Sequence, residues 1–281
     1  MSPRAGGLIC AALVLLPTPA TWAAPPIRML GLGGENMTRE YVPALPAIFG
    51  NRPEKITLSI DGAVAEPAYL QANLFQVAGK LAMPLAKDQH VLEGLTFPNG
   101  AAQVLAASIQ MPDVKRRTEI LVQLNLVPHG SPASPIHLTD IRFDVFPADL
   151  TKDLSDLLRA RPDGTPQAIV FGPGQKLRHF LAGLPVPFED GGEGLPSRFD
   201  PDRFYLGELA TEDERKHAED RRASARLALF FPDTSLPPGI YADRTSTGIL
   251  INVNLPMLDH LSDDPLEQLA LIKVLRQLTS N

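Results

Sequence analysis

The feature that most constrains this chain is a change of hydrophobic period near residue 166. Before it, apolar residues recur at every second position. Ile56, Leu58 and Ile60 share one side of Ile56–Asp61. Ile120, Val122, Leu124 and Leu126 repeat the pattern with Gln123 and Asn125 opposed, and Ile141, Phe143 and Val145 repeat it against Asp140, Arg142 and Asp144. Tyr69–Val77 and Gln103–Met111 are weaker versions. Alternation of period two places one face on a core and the other in water. Asp61-Gly62, Pro98-Asn99-Gly100, Pro112-Asp113 and His129-Gly130-Ser131-Pro132 punctuate the runs as turns. Residues 27–147 are therefore predicted to form an antiparallel β-sandwich.

Residues 148–166 read as a connector. Leu150, Leu154, Leu157 and Leu158 lie at helical spacing, and Arg161-Pro162-Asp163-Gly164-Thr165-Pro166 reads as a turn and linker. From residue 167 to 281 the pattern alternates between short apolar blocks and helical stretches. Ala168–Phe171 is continuously apolar, as in a strand buried on both faces. Phe204–Leu206, Arg226–Phe231 and Gly248–Leu255 are further strands. A helix is predicted over Gln175–Ala182, ending at Gly183. A second opens at Thr211, with Glu214 completing a capping box. A third has Asp264 as N-cap, Pro265 at its first position and Leu266, Leu269, Ile272 and Leu275 as its apolar stripe. This half is predicted to be an α/β domain with a mostly parallel sheet, which makes the chain a two-domain α+β protein.

The first 24 residues read as a cleavable export signal. Arg4 supplies positive charge, Leu8–Leu16 the apolar stretch, and Ala20-Thr21-Trp22-Ala23-Ala24 the small residues for cleavage. The apolar stretch is shorter than the roughly 20 residues that span a bilayer, and no later stretch qualifies, so no transmembrane segment is expected after cleavage. The expected location is periplasmic or secreted. Cys10, the sole cysteine, lies inside the signal, so the mature chain is expected to lack a thiol nucleophile, a disulfide and a cysteine metal ligand. Net charge is −6, and −6 − 1 = −7 once Arg4 leaves. An acidic chain repels phosphate backbones, so nucleic acid is not an expected partner.

Candidate chemistry gathers in the second half. Gly172-Pro173-Gly174-Gln175-Lys176 lies between a buried strand and a helix, where backbone N–H groups can hold an anion. Leu177 stands where a dinucleotide fingerprint would place a third glycine. Glu189 and Asp190 on a glycine-rich stretch could act as acid and base or hold a cation, although the calcium-loop pattern is absent. His179, beside the Gly172–Gly174 turn, is the histidine worth testing, since no two histidines have the spacing of a helical zinc site. The candidate ligand-binding residues are thus Gly172, Gly174, Gln175, Lys176, His179, Glu189 and Asp190. No catalytic residue is assigned, and neither a metal nor a cofactor is expected. Pro237–Arg244 reads as a structured loop, and the charged helix Thr211–Arg226 as a solvated face.

The strand Gly248–Leu255, followed by Pro256-Met257-Leu258, Leu261, Asp264-Pro265 and a closing helix to Leu278, resembles the C-terminal part of class I glutamine-amidotransferase-like α/β domains that follow β-sandwich modules in some bacterial envelope proteins. The resemblance covers about the last 35 residues. Active members of that group use a cysteine, so the resemblance implies a domain without that activity. The expectation is an exported, non-catalytic envelope protein that binds a protein partner or a glycan. The alternative is a hydrolase or transferase acting on an envelope polymer, with its site in the α/β domain. A transporter's solute receptor fits less well, because such receptors pair two similar lobes and these halves differ.

Overall fold

The period-two segments pair with one another in a computed structural model that describes residues 45–60, 64–97, 103–130, 132–220, 225–231, 239–244, 248–254 and 258–279. The export signal, the Asp61-Gly62 and Pro98–Gly100 turns and Pro237-Pro238 lie outside the described residues. The described chain is a β-rich α+β protein that divides between Ala148 and Asp149 into two compact units.

The first unit contains β1 (Ala47–Phe49), β2 (Pro53–Ile60), β3 (Val64–Ala78), β4 (Leu81–Phe97), β5 (Gln103–Gln110), β6 (Thr118–Pro128) and β7 (Ile136–Phe146). Five of these form a sheet in the order β1-β7-β6-β3-β4, antiparallel throughout except for the parallel pair β1-β7. β2 and β5 form a separate antiparallel pair from Pro53↔Gln110 to Ile60↔Gln103. Register explains the core. Leu70 stands opposite Leu126, Ala72 opposite Leu124 and Leu74 opposite Val122, so the apolar positions of β3 and β6 share a face. They pack with Leu58 and Ile60 of β2 and Ile109 of β5. Each such fully buried Leu or Ile contributes about 2 kcal/mol relative to exposure.

The opposite face departs from expectation at Asp144, predicted to face water. It is only 9% exposed, because Arg117 Nε reaches both of its carboxylate oxygens at 2.9 Å. A bidentate arginine satisfies the buried charge.

β4 carries no period-two signal, and its geometry shows why. It is the edge strand, its pairing with β3 shifts register repeatedly, and Asp88 sits at φ +56. That conformation, uncommon for a residue with a Cβ, is held by two side chains of β3. Asp88 N–H donates to Asn73 Oδ1 at 2.9 Å, and Gln71 Nε2 donates to Asp88 Oδ1 at 2.7 Å. Before this kink the strand stands clear of the core, and Leu81, Met83 and Leu85 are exposed.

The second unit comprises α1 (Thr151–Leu157), β8 (Ala168–Phe171), α2 (Lys176–Ala182), β9 (Phe188–Asp190), β10 (Phe204–Glu208), α3 (Glu212–Asp220), β11 (Arg226–Phe230), β12 (Gly239–Arg244), β13 (Ile249–Asn254) and α4 (Pro265–Thr279). Its six strands run β12-β13-β11-β10-β8-β9, all parallel except β12. Both faces are covered, so β8 and β10 are buried along their whole length. Leu154 of α1, Leu177 and Leu181 of α2 and Leu271, Ile272, Leu275 and Leu278 of α4 pack on one face, whereas Leu266 of the expected α4 stripe stays outside this core; Ala218 of α3 packs on the other face. The segment expected to be a connector thus lends its helix to this unit's core, and Arg276 of α4 pairs with Asp153 of α1 at 2.7 Å. The glycine-rich stretch holding Glu189 and Asp190 contains β9, and the segment expected as a loop contains β12; each is an edge strand. No helix among the described residues is long and apolar enough to cross a membrane.

Candidate functional site

Chain order fixes where this sheet would hold a ligand. After β8 the chain goes to β9 on one side of it, then returns to β10 on the other. In open α/β sheets the crevice at such a reversal, beyond the carboxyl ends of the strands, is the usual binding place. Here it lies between Gly172–Gly174, after β8, and Glu208, the last residue of β10.

The crevice is filled by the chain itself. Glu208, 9% exposed, accepts the Leu177 N–H through Oε2 at 3.1 Å. Its carboxylate takes the place of an external anion at the start of α2. Both glycines are there to admit it. Gly172 has φ +100, and a Cβ on it would collide with the Glu208 carbonyl; a Cβ on Gly174 would collide with the Glu208 carboxylate. Gly174 N–H also donates to Glu208 O at 3.3 Å.

The other candidates are separated by their partners. Gln175 is exposed and precedes α2 without a side-chain capping bond. Lys176 pairs with the Asp259 carboxylate, which raises its pKa. His179 is exposed on α2. Glu189 accepts Arg203 Nη2 at 2.6 Å. Asp190 accepts Arg178 Nε at 3.0 Å. Neighbours along a strand point to opposite faces, so Glu189 and Asp190 serve different arginines rather than acting as a pair. Arg178, 7% exposed, is the keystone of this corner: it also donates to Gly174 O at 2.8 Å and Gly192 O at 2.6 Å, tying the two glycine turns together. No group of acidic residues, histidines or cysteines among the described residues could hold a metal ion.

Two further features lie at the same rim. Glu267, in the first turn of α4, is 4% exposed. Burial pushes its carboxyl up to about 8; the His260 N–H at 2.9 Å opposes this, and Asp264 and Asp259 add to it. Such a pKa is typical of functional acids, but this carboxyl is closed off from solvent. On the α3 side are two cavities. One, of about 280 Å³, is lined by Glu193, Leu195, Leu209, Glu214 and His217. Glu214 is already engaged there, accepting the Ala210 and Thr211 N–H groups at 3.0 Å. The other, of about 160 Å³, lies where β11 and β13 end and is lined by Arg215, Leu229, Phe231, Tyr241, Asn252, Val253 and Asn254. Sequence reasoning missed Glu208 and this second cavity. The available signals were a carboxylate closing the apolar run Phe204–Leu206 and two asparagines inside the apolar run of β13.

No protein-family model matches the chain, and no curated protein matches it in sequence. Solved structures give only faint likenesses. A Niemann-Pick type C2 protein from the Japanese carpenter ant is 8% identical over 35% of this chain and 78% of that one, with a TM-score of 0.26. The CsuC–CsuE chaperone–tip adhesion subunit complex of Acinetobacter baumannii Csu pili is 12% identical over 38% of this chain and 55% of that one, with a TM-score of 0.22. A family 123 glycoside hydrolase from Clostridium perfringens is 9% identical over 83% of this chain and 41% of that one, with a TM-score of 0.22. At such scores these likenesses carry no argument about fold or activity.

Proposed function

We propose that this is an exported envelope protein that binds a protein partner or a glycan and performs no catalysis. The first unit is read as a β-sandwich whose layers are the five-stranded sheet and the β2-β5 pair. The second is read as an α/β domain similar in build to glutamine-amidotransferase-like domains, without their cysteine. The observation that carries the reading is the self-occupied crevice. Where such a sheet would offer its chemistry, Glu208 fills the anion cradle, and Arg178, Arg203 and Lys176 are each held by a carboxylate of the chain.

The rival reading, a hydrolase or transferase acting on an envelope polymer, has one observation in its favour: the raised pKa of Glu267. Its burial keeps that carboxyl from any substrate, since a general acid must come within hydrogen-bond reach of the reacting group.

The test is expression of the full chain in a bacterial host, mass spectrometry of the mature N-terminus, and crosslinking in the envelope followed by identification of the captured species. Cleavage after Ala23 or Ala24 and a reproducible partner or glycan adduct are expected. The adduct should persist in Lys176→Ala and Glu189→Ala variants. An uncleaved chain that stays in the cytoplasm would refute export, and turnover of a wall polymer that Glu267→Gln abolishes would refute the non-catalytic reading.

A further inference from the structure

The second cavity breaks a pattern. On the α3 side of the sheet, inward positions are apolar: Leu227 and Leu229 of β11, and Leu250 of β13, belong to the core there. Period two puts Asn252 and Asn254 on the same side as Leu250, and these are asparagines. Asn254 is 8% exposed. Asn252 Nδ2 donates to Glu219 Oε1 at 3.1 Å, while Asn252 Oδ1 is buried and accepts no hydrogen bond from the described residues. A buried amide with an unmet acceptor is costly and is seldom retained without a role. Tyr241 stands directly opposite Asn252 across the β12-β13 pair, so both side chains share this face, and Phe231 follows β11 at its end.

Charge at this place is balanced, because Glu212 and Glu219 face Arg215 and Lys216, whose Nζ lies 3.8 Å from Glu212 Oε1. Arg215 Nε lies 2.9 Å from Glu212 Oε2, and its Nη1 lies 2.5 Å from Glu219 Oε1. The arginine disfavours a cation and the two carboxylates disfavour an anion. What the lining does match is a neutral group carrying hydroxyls. Amides both donate and accept, as a hydroxyl does, and the rings of Tyr241 and Phe231 offer flat apolar walls for the C–H face of a ring. A volume of about 160 Å³ is below the roughly 300 Å³ at which sites for drug-sized ligands begin, and it suits one ring.

We propose that this pocket binds a single sugar residue of a glycan, with Asn252 and Asn254 reading its hydroxyls and Tyr241 and Phe231 stacking on its ring. The proposal rests on the binding reading above and names the ligand class.

The test uses the isotope-labelled mature chain, titrated in turn with glucose, galactose, rhamnose, N-acetylglucosamine and, as a hydroxyl-bearing peptide control, N-acetylserine amide. The side-chain amide signals of Asn252 and Asn254 are followed by NMR. At least one sugar is expected to shift them saturably, with a Kd on the order of 1 mM, and the serine amide is not. Asn252→Leu, which completes the apolar pattern, is expected to weaken that sugar at least tenfold while leaving the melting temperature unchanged or raised. Asn254→Ala, which keeps the Asn252–Glu219 bond, serves if that variant fails to fold. Absence of sugar-induced shifts overturns the proposal, as does unchanged affinity in a folded variant. Shifts from the serine amide alone assign the pocket to a protein partner and overturn it likewise. Saturable sugar shifts confined to the first unit overturn this site while leaving the binding reading in place, and capture of no partner or glycan in the envelope would strike the reading itself.

Discussion

Replacing Glu267 with glutamine should change how stability depends on pH, in a direction opposite to that of most carboxylates. The folded chain holds this proton with a pKa of about 8, against 4.5 for an ordinary glutamic acid. A group that binds its proton more tightly when folded contributes that stability in full below the unfolded value. The contribution is withdrawn as pH rises through the folded value. The difference of about 3.5, at about 1.4 kcal/mol per pH unit, sets a ceiling near 5 kcal/mol. Reorganisation around the buried charge lowers this, and about 3 kcal/mol is expected. Glutamine keeps an acceptor for the His260 N–H and never ionises. Urea unfolding followed by circular dichroism should therefore place the two proteins within about 1 kcal/mol of each other at about pH 5, with the variant about 3 kcal/mol more stable at about pH 9. A constant difference across that range would refute a carboxyl that titrates between 4.5 and 8, and with it the description of Glu267 as shielded from water.

Gly172→Ala and Gly174→Ala should each destabilise the second unit by about 2 kcal/mol or more, since both added methyls meet Glu208; a loss of under about 0.2 kcal/mol in urea unfolding would contradict the filled crevice. Arg178→Met removes the bonds to Asp190, Gly174 and Gly192 and should cost about 2 kcal/mol, with faster Glu-C cleavage after Glu193 as a local readout. Leu81→Thr, Met83→Thr and Leu85→Thr, singly, should each change stability by less than about 0.5 kcal/mol, because these side chains are exposed; a larger loss in thermal unfolding would mean that they are covered.

Where the environment of a segment was uniform, its residues declared it. Ile120, Val122 and Leu124 are fully buried on the face that their alternation assigned. Thr211 and Glu214 form both halves of the expected capping box, and Asp264 Oδ1 accepts the Leu266 N–H at 2.7 Å in the first turn of α4. These are local effects, set within a few residues. β4 was illegible because a strand with little of either face on the core has no reason to alternate, and its kink depends on Asn73 and Gln71 of another strand. The Gly172 turn was a candidate place for an external anion; the carboxylate that meets it is that of Glu208, 31 positions from Leu177. Glu189 and Asp190 stood as candidates for holding a cation or for acid–base work because their arginines, Arg203 and Arg178, are 14 and 12 positions away. In each case the missing information was a tertiary partner that spacing along the chain cannot supply.

The turn at Gly79 and Lys80, which joins β3 to the exposed stretch of β4, offers a practical handle. Gly79 has φ +63 and nothing within 4 Å of where its Cβ would stand. Insertions are best tolerated at exposed turns whose backbone serves no other part of the structure. A short epitope placed between these two residues would decorate the tip of a hairpin and leave both sheets their register, so that the chain could be followed from synthesis to its destination without a fusion at either terminus.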